Sequence, residues 1–310
     1  MDMLNLRQAF LEGKIDKNVY CLLMYEKHIL LAQYRDLMKG AFIKKIEIDE
    51  NDVIMTTNDG IRLTCNFQEI PAGIALYLLN SGVYEEKENI FAVQLIGDND
   101  VVLDIGANIG YFSLKVLKNK PLAQIHAFEP VPETFSFLVR NLELNNYSHV
   151  QTYNFGFFDK EEDADFFVPA LSGAASIHNI LDDNTARRIR CKLIKLDDFI
   201  SSKKLKFDFI KCDIEGAEYF AFLGGVHAIQ DNKPIIFCEM LRKHAGKFDY
   251  HPNKIIEMLF SFGYRCFTFA GNTLIEFFTM DEQTVQTNFF FLHNEKHKDK
   301  ISYYAEANII

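Results

Sequence analysis

Apolar residues recur along the chain in two rhythms, and the switches between them mark its organisation. Residues 1–40 keep a helical beat: Leu22, Leu23, Ile29, Leu30, Tyr34, Leu37 and Met38 stand around Glu26, Lys27, Arg35 and Asp36, and Gly40 closes the run. Such a stripe has to be covered by the body of the protein or by a second subunit, and the body is the expectation. From 41 the rhythm becomes that of strands, over 41–48, 53–57 and 61–67, with Asn58-Asp59-Gly60 reading as a hairpin turn. Pro71 opens a short apolar helix over 71–79 that stops near Gly82. Residues 1–95 thus read as an N-terminal helical and β-hairpin extension, and 96–310 as the main domain.

Beyond Asp100 strands and helices alternate. Strands are predicted at 101–105, 124–128, 150–158, 189–196, 207–212, 234–239, 264–269 and 288–292, and helices at 111–117, 132–144, 197–201, 217–223 and 253–262. Asp197-Asp198 reads as the cap of its short helix. Residues 159–190, including Ser172-Gly173-Ala174-Ala175-Ser176, read as an irregular polar insertion or lid. The unbroken apolar run at 101–105 is that of a parallel strand covered on both faces. The expected fold is α/β and Rossmann-like: a mostly parallel, seven-stranded, doubly wound sheet with an antiparallel edge.

Composition narrows the class. Of 310 residues, 48% are hydrophobic and 25% charged, which excludes general disorder, and 29 Phe with 13 Tyr and no Trp give an aromatic-rich core. A net charge of −10 argues against a nucleic-acid partner, which would need a basic face. The six cysteines form no CxxC pair, and Cys191, Cys212, Cys238 and Cys266 lie in apolar runs as buried, reduced thiols would. With no signal pattern and no apolar stretch of membrane-spanning length, a cytoplasmic location is the expectation.

Three stretches carry chemistry. In the first, the 101–105 strand runs into Gly106-Ala107-Asn108-Ile109-Gly110 and a helix that begins at Tyr111. Gly106 permits a tight turn, and Gly110 lets a ligand approach the helix N-terminus. The dinucleotide fingerprint GxGxxG fails at Asn108. Asp104 would repel a pyrophosphate but suits an ammonium or sulfonium, which favours S-adenosylmethionine over NAD. The second stretch ends in Glu129-Pro130, about twenty residues beyond the turn, where a carboxylate can take both hydroxyls of a ribose. The third is 207–218, which places Asp213 and Glu215 at the carboxyl end of a strand, on the same rim as Asp104 and Glu129.

Four acids on one rim repel one another unless they meet a cation, hydroxyl donors or a metal. Glu239 ends the next strand and could join Asp213 around a substrate hydroxyl or a divalent metal ion. His244, His251 and His178 are loop candidates for a general base. The i, i+4 pair His293 and His297 reads as coincidence. Tyr111 and Phe248 are candidates to stack on a sugar face.

The segments DIGANIGYFSL, AFEPVPETFSFLVRNLELN, SGAAS, KLIKLDDFI and FDFIKCDIEGAEYFAFLGG stand in the order and spacing of FkbM-type methyltransferases, a family the chain resembles over about 100–240. The resemblance implies a class I S-adenosylmethionine-dependent fold. It places Asp104, Gly106, Asn108 and Gly110 at the methionine end, Glu129 at the ribose, and Gly156 and Phe157 beside adenine; Tyr111, Pro130 and Asp213 are further cofactor-binding candidates. Asp213 and Glu215 would lie near the methyl group, with Asp213, Glu215, Glu239 and His244 as the catalytic candidates. It also implies O-methylation of a small-molecule or glycan hydroxyl, on a sugar of a glycan, nucleotide-sugar or glycosylated natural product. An NAD-dependent oxidoreductase and a non-catalytic binding protein retaining the fold are the alternatives. The first 95 residues lie outside the resemblance; a substrate lid and a homodimer interface are both open to them.

Overall fold

The computed structural model describes all residues except 66–72, 83–85, 170–174 and 307–310. Pro71 and Ser172-Gly173-Ala174, singled out in the sequence, lie outside the described residues. The chain opens with three helices, α1 (Met3–Leu11), α2 (Lys17–His28) and α3 (Leu30–Leu37), the first two capped by the Asp2 and Asp16 side chains. Phe10 stacks on Tyr20 at 4.4 Å and ties α1 to α2. The expected cover for the stripe is not there among the described residues: Leu22, Tyr25, Ile29, Leu30, Leu31, Tyr34 and Leu37 are all exposed, and no residue of α2 or α3 is buried. Periodicity identified the helices correctly but not what covers their apolar side.

Strands β1 (Ile43–Ile48), β2 (Val53–Thr57) and β3 (Arg62–Thr64) form an antiparallel sheet, with Asn58-Asp59-Gly60 as the predicted turn between β2 and β3. Helices α4 (Ile74–Ser81), stopped by left-handed Gly82, and α5 (Glu86–Leu95) lead into the main domain. There β4 (Val101–Ile105), α6 (Tyr111–Asn119), β5 (Gln124–Phe128), α7 (Pro132–Leu144) and β6 (Gln151–Tyr153) alternate as predicted.

The free edge of β3 is closed by side chains rather than by another strand. The Arg62 N–H donates to Asn145 Oδ1 at 2.9 Å, and Asn145 Nδ2 donates back to the Arg62 carbonyl at 2.7 Å. Two residues on, the Thr64 N–H donates to Asn141 Oδ1 at 2.8 Å. Asn141 and Asn145 stand one helical turn apart, so together they serve alternate residues of β3 as a partner strand would. Ile43, Met55, Leu63, Leu78 and Phe91 share one apolar cluster with Val102, Leu114, Phe237 and Phe290, so the part of the extension from β1 to α5 packs into the core of the main sheet, while α2 and α3 do not.

After Tyr153 the chain departs from expectation. The single strand predicted over 150–158 is split, because Asn154 Nδ2 donates to the Glu129 and Pro130 carbonyls at 2.9 and 3.0 Å and pulls the chain off the sheet. The next strand, β7 (Gly156–Phe157), pairs in a second small sheet with β9 (Arg187–Ile194), which pairs in turn with β8 (Glu162–Val168). The insertion expected to be irregular therefore contains a strand.

The remaining elements are α8 (Leu196–Lys203), β10 (Phe209–Cys212), α9 (Glu218–Leu223), α10 (Val226–Asn232), β11 (Ile235–Glu239), α11 (Arg242–Gly246), α12 (Asn253–Ser261), β12 (Tyr264–Ala270), β13 (Thr273–Glu276), β14 (Asn288–His293) and α13 (Lys298–Ile301). Asp197 does not cap its own helix; its carboxylate accepts from the His227 and Ala228 N–H groups at the start of α10. The His293–His297 pair has a structural use, since His297 Nδ1 accepts the His293 N–H at 2.9 Å.

Among the described residues the main sheet has eight strands, in the order β13-β12-β14-β11-β10-β4-β5-β6, rather than seven. The extra edge strand, β13, comes after the turn at left-handed Gly271 and is fastened by the paired contacts of Arg265 with Glu276, each 2.6 Å. The five strands from β11 to β6 are parallel, and β14 runs against both its neighbours. The ends of β4, β5 and β10 therefore point to one rim.

Candidate active site

At that rim lies a cavity of about 310 Å³, within the range of about 300–1,000 Å³ common for small-molecule sites. Its floor is the turn after β4. Gly106 (φ +77°), Asn108 (φ +49°) and Gly110 (φ +86°) all take the left-handed conformation. Gly106 has a second constraint: a Cβ there would stand 1.9 Å from the Asp213 carbonyl oxygen, so the turns after β4 and β10 touch through bare backbone. Asn108 meets its own strain by accepting the Ile109 N–H on Oδ1 at 2.8 Å. Its backbone N–H donates to Glu129 Oε2 at 3.0 Å, while the Val131 N–H donates to Oε1 at 2.9 Å. Glu129 is thus held by the backbone on both oxygens, with lone pairs left to accept from a ligand. Burial pushes its carboxyl up to about 7 against those two donors.

The repulsion expected among the rim acids is resolved by a lysine. Lys211, buried on β10, sets its ammonium 3.0 Å from Asp213 Oδ2, 3.2 Å from the Gly106 carbonyl and 4.0 Å from Asp104 Oδ1. Asp104 is fully buried; Oδ2 accepts from Ser113 Oγ at 2.6 Å, and Oδ1 has no hydrogen bond among the described residues. Burial raises the Asp104 carboxyl and Lys211 opposes that rise. A lysine within Phe209-Ile210-Lys211-Cys212 carries no signal in sequence, because alternation alone would read it as facing solvent.

The loop after β10 is built around Glu218. Its Oε1 accepts from the Ile214 and Gly216 N–H groups, both at 3.0 Å, and Tyr250 donates its hydroxyl to Oε2 at 3.3 Å. Burial pushes the Glu218 carboxyl up to about 7. This clamp satisfies the backbone before α9, and it holds Glu215 in a left-handed conformation (φ +56°). Glu215 Oε2 lies 3.0 Å from His244 Nδ1, an ion-pair contact without hydrogen-bond alignment. Burial raises the Glu215 carboxyl, with His244 acting the other way.

Of the residues singled out in the sequence, Gly106, Asn108, Tyr111, Glu129, Pro130, Gly156, Phe157, Asp213 and Glu215 line the cavity. Asp104 and Gly110 lie just behind it, the first bound to Ser113 and the second starting α6. His244 backs Glu215. Glu239, half-buried at the end of β11 beside Asn288, does not reach the cavity, so it and Asp213 are not brought together there. Among the described residues, no three of His, Cys, Asp or Glu stand close enough to hold a metal ion. His251 Nδ1 accepts the Asn253 N–H at 3.3 Å, at the start of α12, and His178 lies edge-on to Phe248 at 4.4 Å. Phe248 is buried away from the cavity, so of the two rings expected to stack on a sugar only Tyr111 lines it. A lid was open to the N-terminal extension in sequence, but no motif pointed to the wall it supplies with Thr64, Cys65, Gly73, Ile74 and Asn89.

A doubly wound sheet whose glycine turn and second-strand carboxylate flank one cavity defines a class I S-adenosylmethionine-dependent methyltransferase fold. Residues 104–266 match the methyltransferase FkbM domain, and the chain belongs to that family. It is an S-adenosylmethionine-dependent methyltransferase. It is 31% identical over 199 residues to Methyltransferase 1 of Beauveria bassiana, covering 57% of this chain and 74% of that protein. It is 29% identical over 150 residues to the hexuronic acid methyltransferase AglP of Haloferax volcanii, covering 48% and 58%. A crystal structure of methyltransferase FkbM from Methylobacillus flagellatus is 18% identical with a TM-score of 0.42, over 69% of this chain and 52% of that one. Among the described residues, no helix is long and apolar enough to cross a membrane.

Proposed function

We propose that the enzyme transfers the methyl group of S-adenosylmethionine to a sugar hydroxyl, in a glycan, nucleotide-sugar or glycosylated natural product. The observation that carries the reading is that Asp213 and Glu215 line the same cavity as Glu129 and the glycine turn. Carboxylates in an enclosed site are strong acceptors for sugar hydroxyls. The relative named as a hexuronic acid methyltransferase supports a sugar acceptor.

The lining suits the cofactor. Glu129 would take the ribose hydroxyls, and Gly156 and Phe157, with Phe166 and Leu193 beside them, form an apolar slot for adenine. The slot needs its glycine, because a Cβ on Gly156 would meet Leu193 Cδ2 at 2.9 Å. Gly106, Asn108, Gly110 and Tyr111 would hold the methionine end. Bound there, the cofactor supplies a methyl group on a sulfonium, whose departure leaves a neutral thioether.

The chain's task is then to position the acceptor oxygen and remove its proton. Lys211 engages Asp213 Oδ2; the other oxygen can orient the hydroxyl. Glu215, raised by burial, is a better base than an exposed carboxylate, and His244, with Nδ1 3.0 Å from Glu215 Oε2, would position the carboxylate before it takes the proton. Mass-spectrometric methyl-transfer assays on hexuronic acids, neutral hexosides and nucleotide-sugars test this. Methylated sugar with wild type, and rates down by about 10²-fold or more in Glu215→Gln and Asp213→Asn, are expected. Methyl transfer only to tRNA or to amines, with every sugar untouched, would overturn the acceptor class.

A further inference from the structure

The wall contributed by the N-terminal extension contains a polar defect. Thr64 is 5% exposed and lines the cavity, yet among the described residues its buried Oγ1 has no hydrogen-bond partner. A buried hydroxyl left unpaired costs about 1–3 kcal/mol, so an orphan at a cavity wall points to a bound ligand as its partner. Asn89, 3% exposed, brings a buried amide to the same otherwise apolar wall, among Cys65, Ile74, Ala75 and Leu76.

Their place in the fold says which part of a ligand they meet. The Thr64 N–H is bound by Asn141 Oδ1, and Asn141 Nδ2 donates to the Ile109 carbonyl at 2.9 Å, which sets Thr64 one side chain away from the glycine turn. Asn89 is carried by α5, which packs against α6. The first turn of α6 is already met by Asp104, which accepts from Ser113, so the ligand's partners at this corner are the two side chains. A buried hydroxyl and a buried amide on one wall make a site for a carboxylate. The nucleoside-binding features, Glu129 with Gly156, Phe157 and Leu193, lie on other elements of the lining.

We propose that Thr64 and Asn89 hold the α-carboxylate of the cofactor's amino-acid end, so that the N-terminal extension completes the cofactor site of the main domain. The inference rests on the reading of this cavity as the S-adenosylmethionine site. S-adenosylhomocysteine and 5′-methylthioadenosine share adenosine and sulfur and differ by that amino-acid end, so calorimetric titration of both into the full chain isolates it. Wild type should prefer S-adenosylhomocysteine. Thr64→Val and Asn89→Leu should each weaken it about tenfold, as loss of a hydrogen bond to a charged group does, and leave 5′-methylthioadenosine within about twofold. Equal losses for both ligands would make the residues merely structural and overturn the proposal, as would unchanged S-adenosylhomocysteine affinity. Wild type that binds neither ligand would defeat the cofactor reading itself, and this inference with it.

Discussion

Replacing Lys211 by Met removes the positive charge that the structure places between Asp104 and Asp213, while keeping an unbranched apolar stem of similar length. At an effective dielectric constant of about 20, an ion pair at about 4 Å is worth about 4 kcal/mol. Asp104 can escape the loss by taking a proton. From an unfolded pKa of about 3.9, protonation at pH 7 costs about 1.4 kcal/mol per unit over about three units, again about 4 kcal/mol. Both routes give a destabilisation of about 4 kcal/mol at pH 7. The second makes it pH-dependent: at pH 5 protonation costs only about 1.5 kcal/mol. The sign is set by the direction of the shift. A carboxyl raised in the folded state gives stability that is complete below its unfolded pKa and is lost as pH rises through the folded one. Urea unfolding of Lys211→Met at pH 5 and 7, read at constant m-value, measures both numbers. The double variant Lys211→Met with Asp104→Asn should recover at least half the loss, since it removes the charge that needs the cation. A loss below about 1 kcal/mol, or no recovery in the double variant, would refute the account of Lys211 as the cation that makes the acidic rim tolerable.

The site and its supports give two more expected outcomes. Because Glu129 is raised to about 7 and a ribose diol donates to its ionised form, cofactor affinity should increase from pH 6 to 8, by up to about tenfold per unit below pH 7. Titration calorimetry at three pH values tests this, with Glu129→Gln expected to be weak and flat; a flat wild-type profile would contradict it. Asn141→Ala leaves the Thr64 N–H and the Ile109 carbonyl without partners, so it should cost about 2–4 kcal/mol and loosen β1 to β3 first. Urea unfolding and amide hydrogen exchange read the two effects, and uniform exchange across the chain would count against the docking role.

The sequence revealed most where one signal dominated. The runs at 101–105 and 124–128 are apolar enough to be strands wherever they sit, and Pro132 marks the start of α7, so these elements fall where expected. The strand at Glu162–Val168 was hidden by its charges, although Asp163 and Asp165 alternate with Ala164, Phe166 and Val168 as on a half-covered sheet. The break at Asn154 could not be read locally, since its cause is a pair of carbonyls 25 and 24 residues back. In the site, the glycine turn, Glu129, Asp213 and Glu215 were legible because their residue types are costly elsewhere. Lys211, Glu218 and Thr64 were not: each matters through what tertiary packing sets beside it, and that depends on segments far apart in the chain.

The turns after β4 and β10 are joined three times within a few residues. The Asp213 N–H donates to the Ile105 carbonyl, Lys211 to the Gly106 carbonyl, and Gly106 has no side chain to hold the two backbones apart. They form a single rigid plate. A shift of one turn must drag the other, so the Asn108 and Asp213 sides of the cavity floor move together or not at all.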